Sequence, residues 1–175
     1  MFFWLLLIWC VCIAWFFYEQ KTGRSDVVPL PAHPLKRKAV VEQLSPNLGG
    51  VIYELGSGWG GLAADVAKNC PKASVVGVEV SWLPYIYSRL LVHWRNLRFQ
   101  RANFFSLNLE NATALVCYLN LQAMADIKAK LFSCLPKDCL VVSCTFPFPD
   151  MEPLVAKQYA GNSMSGDFWV YVYRF

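Results

Sequence analysis

One stretch constrains this chain more than any other: residues 51–81, reading VIYELGSGWGGLAADVAKNCPKASVVGVEVS. Residues 51–55 form a short apolar run with β-branched members, which meets Gly56, Gly58, Gly60 and Gly61. Residues 62–68 then alternate at helical spacing, and 75–78 make a second apolar run closed by Glu79. The pattern predicts strand, loop, helix and strand. A glycine-rich turn at the carboxyl end of a parallel strand lets a ligand come close to the backbone, and the helix N-terminus behind it offers free N–H groups to an anionic group.

Two acids narrow the ligand. Glu54 stands two residues before the first glycine, at the strand tip, and Glu79 ends the second strand. An acid in the second place accepts hydrogen bonds from ribose hydroxyls in dinucleotide-binding proteins and in S-adenosylmethionine (AdoMet) enzymes alike, so Glu79 does not discriminate. Glu54 does: it would repel the pyrophosphate of NAD at short range, whereas the cationic amino-acid end of AdoMet gives it a charge partner. Gly56-x-Gly58-x-x-Gly61 is an equally literal dinucleotide match, and a glycine-rich turn without a ligand is the plainer alternative. The run E-L-G-S-G-W-G resembles motif I (E/D-x-G-x-G-x-G) of class I AdoMet-dependent methyltransferases, and V-V-G-V-E-V resembles their motif II. The resemblance implies AdoMet as cofactor, held by Glu54, Gly56, Ser57, Gly58, Gly60, Glu79 and Val80, with Asn103 and Phe104 at the adenine.

A chain of 175 residues suffices for one domain with a full core and is too short for a nucleotide domain plus a separate substrate domain. Its hydrophobic fraction of 56% exceeds the roughly 45–50% usual for soluble proteins. Residues 1–18 explain much of the excess, for they carry no charge. As a helix they would extend about 27 Å at ~1.5 Å per residue, enough for a bilayer core, with aromatic residues at both ends. A cleaved signal peptide competes, but no Lys or Arg precedes the run and no small-x-small site follows it. A retained membrane anchor over 1–18 is therefore expected, followed by a proline-containing linker over 19–34 and a folded domain over 35–175.

Lys21, Arg24, Lys36, Arg37 and Lys38 against Asp26 give +4 between residues 20 and 40, equal to the formal charge of the whole chain. By the positive-inside rule this flank, and the domain with it, stays on the cytoplasmic side. The remainder is neutral on balance, which argues against a nucleic-acid partner. Seven cysteines without a CxxC pair suggest neither a metal site nor a disulfide framework, and fit a reducing compartment.

In chain order, Leu35, Ala39, Val40 and Leu44 predict a short helix behind Pro34, with His33 beside it as a solvated loop residue. Ser81 predicts the N-cap of a helix over 82–93, whose Trp82 either walls the adenine or packs on the sheet. A third strand at 97–99 leads to Asn103, and a fourth at 113–119 ends in Tyr118 and Asn120. In the class I fold this last tip borders the acceptor, so Tyr118 and Asn120 are the candidate catalytic residues; Asn120 also suits the cap of the helix carrying Met124, Ile127, Leu131 and Leu135. A fifth strand at 139–145 precedes a hairpin of 154–159 and 168–173. The expected fold is α/β: a Rossmann-like class I methyltransferase sheet, mostly parallel, with a C-terminal antiparallel hairpin and one preceding transmembrane helix.

The layout of anchor, linker, short helix, E-L-G-S-G, A-T-A-L-V-C-Y-L-N-L-Q-A-M and L-P-K-D-C-L-V-V-S looks like that of the small membrane-anchored protein-lysine methyltransferases of mitochondria and their bacterial relatives. Their V-P-T/S-P run is Val28-Pro29-Leu30-Pro31 here, without the hydroxyl, and the Asn/Asp-Pro-Pro-Tyr signature of many nitrogen-methylating enzymes is absent. The resemblance implies displacement of a methyl from sulfonium to a lysine of a membrane protein, by a bacterial inner-membrane enzyme or else a mitochondrial one. A lipid or small-molecule N/O-methyltransferase and a catalytically idle membrane scaffold are the other classes.

Overall fold

The computed structural model of the protein describes residues 13–14 and 30–175. The expected anchor, Ile13 and Ala14 apart, and the linker up to residue 29 lie outside the described residues. Among the described residues no helix is long and apolar enough to cross a membrane.

From residue 34 the elements run α1 (Pro34–Val41), β1 (Gly50–Leu55), α2 (Gly61–Asn69), β2 (Ala73–Glu79), α3 (Trp82–Leu91), β3 (Leu97–Arg101), β4 (Ala112–Cys117), α4 (Leu121–Leu131), β5 (Leu140–Cys144), β6 (Val155–Tyr159) and β7 (Phe168–Arg174). Seven strands form one sheet in the order β3-β2-β1-β4-β5-β7-β6. The first five are parallel, and β7 enters antiparallel between β5 and β6. Central strands read as near-continuous apolar runs because both faces are covered: Ile52, Leu55, Val75, Val76, Leu115 and Val116 are fully buried. One face is covered by α1 and α2 through Val40, Leu62 and Val66, the other by α4 through Met124, Ile127 and Leu131.

The order reverses at β1, which lies between β2 and β4, and the carboxyl ends of those three strands open a crevice at that switch point. The expected sheet and hairpin are present, with small boundary differences: β4 stops at Cys117, which leaves Tyr118–Asn120 as a loop, and α3 stops at Leu91. His33 is the N-cap of α1, its ring Nδ1 accepting from the Leu35 N–H at 3.3 Å, with Pro34 in the first turn.

Candidate active site

The crevice is a cleft of about 1070 Å³, above the usual range for one small ligand. The glycine turn forms its floor, Glu79 and Val80 one side, Asn103 to Phe105 the adjoining wall, and Tyr118 to Asn120 with Thr145 and Phe146 the far end. Leu30, Pro31, Ala32, Pro34 and Lys36 close it from the amino-terminal side. The structure thus brings together Glu54, Gly56, Ser57, Gly58, Glu79, Val80, Asn103, Phe104, Tyr118 and Asn120. Gly60 is not among the lining residues. It caps α2 with φ +81, and a Cβ there would meet the Phe99 ring at 2.6 Å and Ser88 Cβ at 2.9 Å, so its work is to let the turn and α3 approach.

Glu54 is buried at the tip of β1, and its Oε2 has no hydrogen-bond partner. Burial pushes its carboxyl well above the usual carboxylate range; a backbone N–H from Ala63 opposes the shift, and the carboxylates of Glu79 and Asp65 add to it. A buried acceptor without a donor is costly. A ligand ammonium beside Oε2 would supply both the missing donor and the counter-charge, which is the arrangement the amino group of AdoMet requires. The residues fit the cofactor.

Glu79 is buried and tied to backbone: one carboxylate oxygen accepts from the Gly58 N–H at 2.8 Å, the other from the Ser81 N–H at 2.7 Å. It therefore pins the glycine turn to the start of α3, and its remaining lone pairs are what a ribose could use. Ser81 sits at the N-cap as expected, but its side chain makes no capping bond. Asn103 Oδ1 accepts from the Phe105 N–H at 3.0 Å, so its amide N–H groups are what a ligand could use.

Asn120 is occupied in the same way. Its Oδ1 accepts from the Ala123 N–H at 2.8 Å as the N-cap of α4, so the capping role accounts for the side chain, and a catalytic one is not needed to explain it. Tyr118 is the better-placed group: Lys36 Nζ lies 3.5 Å from its hydroxyl and 5.5 Å from the ring centres of both Tyr118 and Phe168. Trp82 is not among the residues lining the cleft. The Arg101 guanidinium lies 4.2 Å from its ring centre and the ring is partly exposed, so it neither walls the cleft nor packs inward on the sheet. Tyr87, further along α3, does line the cleft and meets Trp59 edge-on at 5.2 Å.

Sequence reasoning missed Lys36 and Thr145. Thr145, at the tip of β5, lines the cleft with φ +78, a strained value for a β-branched residue of the kind that gathers at functional sites. The only local signal for it is the break imposed by Pro147 and Pro149 just beyond. The buried thiols are not nucleophiles: burial pushes Cys117 up to about 12 and Cys139 up to about 11.

The fold is shared with solved methyltransferases. An RNA methyltransferase from Salinibacter ruber, in complex with S-adenosyl-L-homocysteine, aligns with TM-score 0.71 and 22% identity over 83% of this chain and 93% of its own. A precorrin-6y C5,15-methyltransferase from Geobacter metallireducens GS-15 aligns with TM-score 0.63 and 11% identity over 88% and 95%. A ribosomal protein L11 methylase from Lactobacillus delbrueckii subsp. bulgaricus gives 0.61 and 15% over 79% and 77%. These likenesses concern the fold. No curated protein matches the sequence. A family model does: the ANTKMT methyltransferase domain, over residues 54–155, from Glu54 at the tip of β1 to the first residue of β6. That match spans more than half of the chain, so the protein belongs to the ANTKMT methyltransferase domain family and is an AdoMet-dependent methyltransferase.

Proposed function

We propose that the protein is held in a membrane by residues 1–18, with its domain on the cytoplasmic side, and that it methylates a lysine of a membrane protein. A bacterial inner membrane is the first choice of setting. The observation that carries the lysine reading is the corner at the acceptor end where Tyr118 lines the cleft and the buried Phe168 ring stands behind it. Its rings and hydroxyl already receive an ammonium, that of Lys36. The layout shared with membrane-anchored protein-lysine methyltransferases supports the same choice.

Bound AdoMet supplies an electrophilic methyl on a sulfonium. The residues do the rest. Glu54 anchors the cofactor's amino-acid end, Glu79 holds the glycine turn against β2, and the apolar far end with Leu119 and Phe146 keeps water from the acceptor. An incoming lysine must lose its proton. Lys36 beside the acceptor position disfavours a second ammonium there, which lowers the acceptor's pKa without a dedicated base. In this reading Lys36 is a positioning residue, and Lys36→Gln should move the rising limb of the pH–rate profile to higher pH.

The test is incubation of the full chain with methyl-labelled AdoMet and membranes, followed by separation of protein from lipid and analysis of hydrolysed protein for methyl-lysine. Label recovered only in lipid would replace this reading with a lipid methyltransferase. Label in neither fraction, despite AdoMet binding, would favour the idle scaffold.

A further inference from the structure

Helix α3 is built inside out. Its buried residues are Pro84 and Ser88, while Trp82, Leu83, Ile86, Tyr87, Leu90 and Leu91 are exposed, Leu90 and Leu91 at 63% and 65%. At ~100° per residue the six exposed side chains share one half of the helix surface, opposite Pro84 and Ser88. The inner face must be small because Gly60 comes so close that a Cβ there would stand 2.9 Å from Ser88 Cβ. Nothing comparable requires the outer face to be apolar. Trp94, just past the helix, continues the surface at 46% exposure.

Charge says what covers it. Residues 80–109 contain Arg89, Arg95, Arg98 and Arg101 and no Asp or Glu. All four arginines are exposed, and none forms a salt bridge among the described residues; Arg101 shares the α3 side of β3 with Phe99 and lies over Trp82, whereas Arg98 alternates to the opposite face of the strand. The whole-chain balance conceals this local excess. Leu and Ile flanked by Arg, with Trp and Tyr between them, is the composition of a helix lying in a membrane interface, where aliphatic side chains enter the acyl boundary and guanidinium groups meet anionic headgroups. A single-stranded nucleic acid would use the rings and the arginines but gains little from Leu83, Ile86, Leu90 and Leu91. The uncharged segment 1–18 could bury the aliphatic residues but offers the arginines no partner.

We infer that the outer face of α3, with Arg89, Arg95 and Arg101, docks on the surface of a membrane containing anionic lipid. This goes beyond the function proposed above, since it holds whether or not residues 1–18 span a bilayer and whatever the methyl acceptor. Tyr87 lies both on this face and in the lining of the cleft, so docking sets the cleft at headgroup level.

The experiment uses the full chain with Cys10, Cys12 and Cys134 replaced by Ser and one environment-sensitive fluorophore, on Leu90→Cys or on the exposed Met164→Cys of the β6–β7 loop at the other edge of the sheet. Each is placed in phosphatidylcholine vesicles with or without phosphatidylglycerol and a doxyl-lipid quencher, and retained AdoMet binding shows that the fold is intact. At position 90, phosphatidylglycerol should bring a blue shift and lipid quenching. Arg95→Gln with Arg101→Gln should lower the docked-to-undocked ratio by on the order of tenfold, and position 164 should not respond. Equal quenching at both positions, a shifted probe at 90 that ignores phosphatidylglycerol, or the same shift produced by single-stranded RNA without vesicles would each overturn the inference.

Discussion

Helices α2 and α3 follow neighbouring strands and leave the same end of the sheet, yet they bury opposite kinds of residue. In α2 the apolar positions Leu62, Ala63, Val66 and Ala67 face inward. In α3 the inward positions are Pro84 and Ser88, and the large apolar residues face out. Periodicity identifies an apolar stripe but not what the stripe faces, and the close packing of α3 on the glycine turn reverses the usual answer. The stripe of α2 serves the core; that of α3 is surplus to it.

The sharpest way to break this comparison is to place one acid in each stripe. Val66→Asp should cost more than about 4 kcal/mol by burying an unpaired charge, whereas Ile86→Asp, 40% exposed, should stay within roughly 0.5 kcal/mol of the parent. Urea midpoints decide it, and similar losses at both sites would end the distinction.

The first turn of α2 also serves the cofactor, because Ala63 hydrogen-bonds Glu54. Glu54→Gln should weaken AdoMet binding by roughly 10–100-fold, through loss of a charged hydrogen bond worth about 1.5–3 kcal/mol. The ligand-free protein should respond differently. An acid whose native pKa lies above its unfolded one contributes stability that is fully present below the unfolded pKa and is lost as pH rises through the native value. Stability of the ligand-free parent should therefore decline from mild acid upward, and Glu54→Gln should flatten that decline. Calorimetry and denaturation across pH measure the two effects, and a steeper pH dependence in the variant would contradict the assignment.

Gly60→Ala tests the contact that turns α3 inside out. With φ +81 and Phe99 at 2.6 Å from the added carbon, it should cost about 1–3 kcal/mol, and its chemical-shift changes should extend into α3 as far as Ser88. Shifts confined to the turn would mean that α3 does not rest on it. The smallest effect is expected of Leu90→Ala, whose thermal midpoint should match the parent because Leu90 contributes little to the core.

The contrast also explains how much could be read from the sequence. The parallel core was legible because residues 51–55, 75–78 and 113–119 are apolar runs between turn signals, and Glu54, Gly56, Gly58 and Glu79 keep a spacing that suits a strand–turn–helix. The partners of those side chains were not legible. The bond from Gly58 to Glu79 and the approach of Lys36 to Tyr118 across 82 positions depend on tertiary distances, whereas the cap that Asn120 makes on Ala123 is local and was readable from its place before an apolar helix. The net charge misled in a similar way, since a sum over the chain hides four arginines gathered along 89–101.

The place of β7 bears on the order in which the molecule can be completed. A chain emerging from the ribosome amino end first delivers β7 after every other strand, yet β7 lies inside the sheet, between β5 and β6. Until residues 168–174 appear, β5 has an open edge and β6 has no neighbour. Helix α1, which closes the cleft, is held to the same late region by Gln43 Nε2 donating to Tyr159 Oη at 2.9 Å and by Tyr159 donating to Glu42 at 3.2 Å. The cofactor turn can form early in synthesis, but the roof over it waits for the last strand. A stalled or prematurely ended chain is left with an unpaired strand edge open to other chains, and without a finished site.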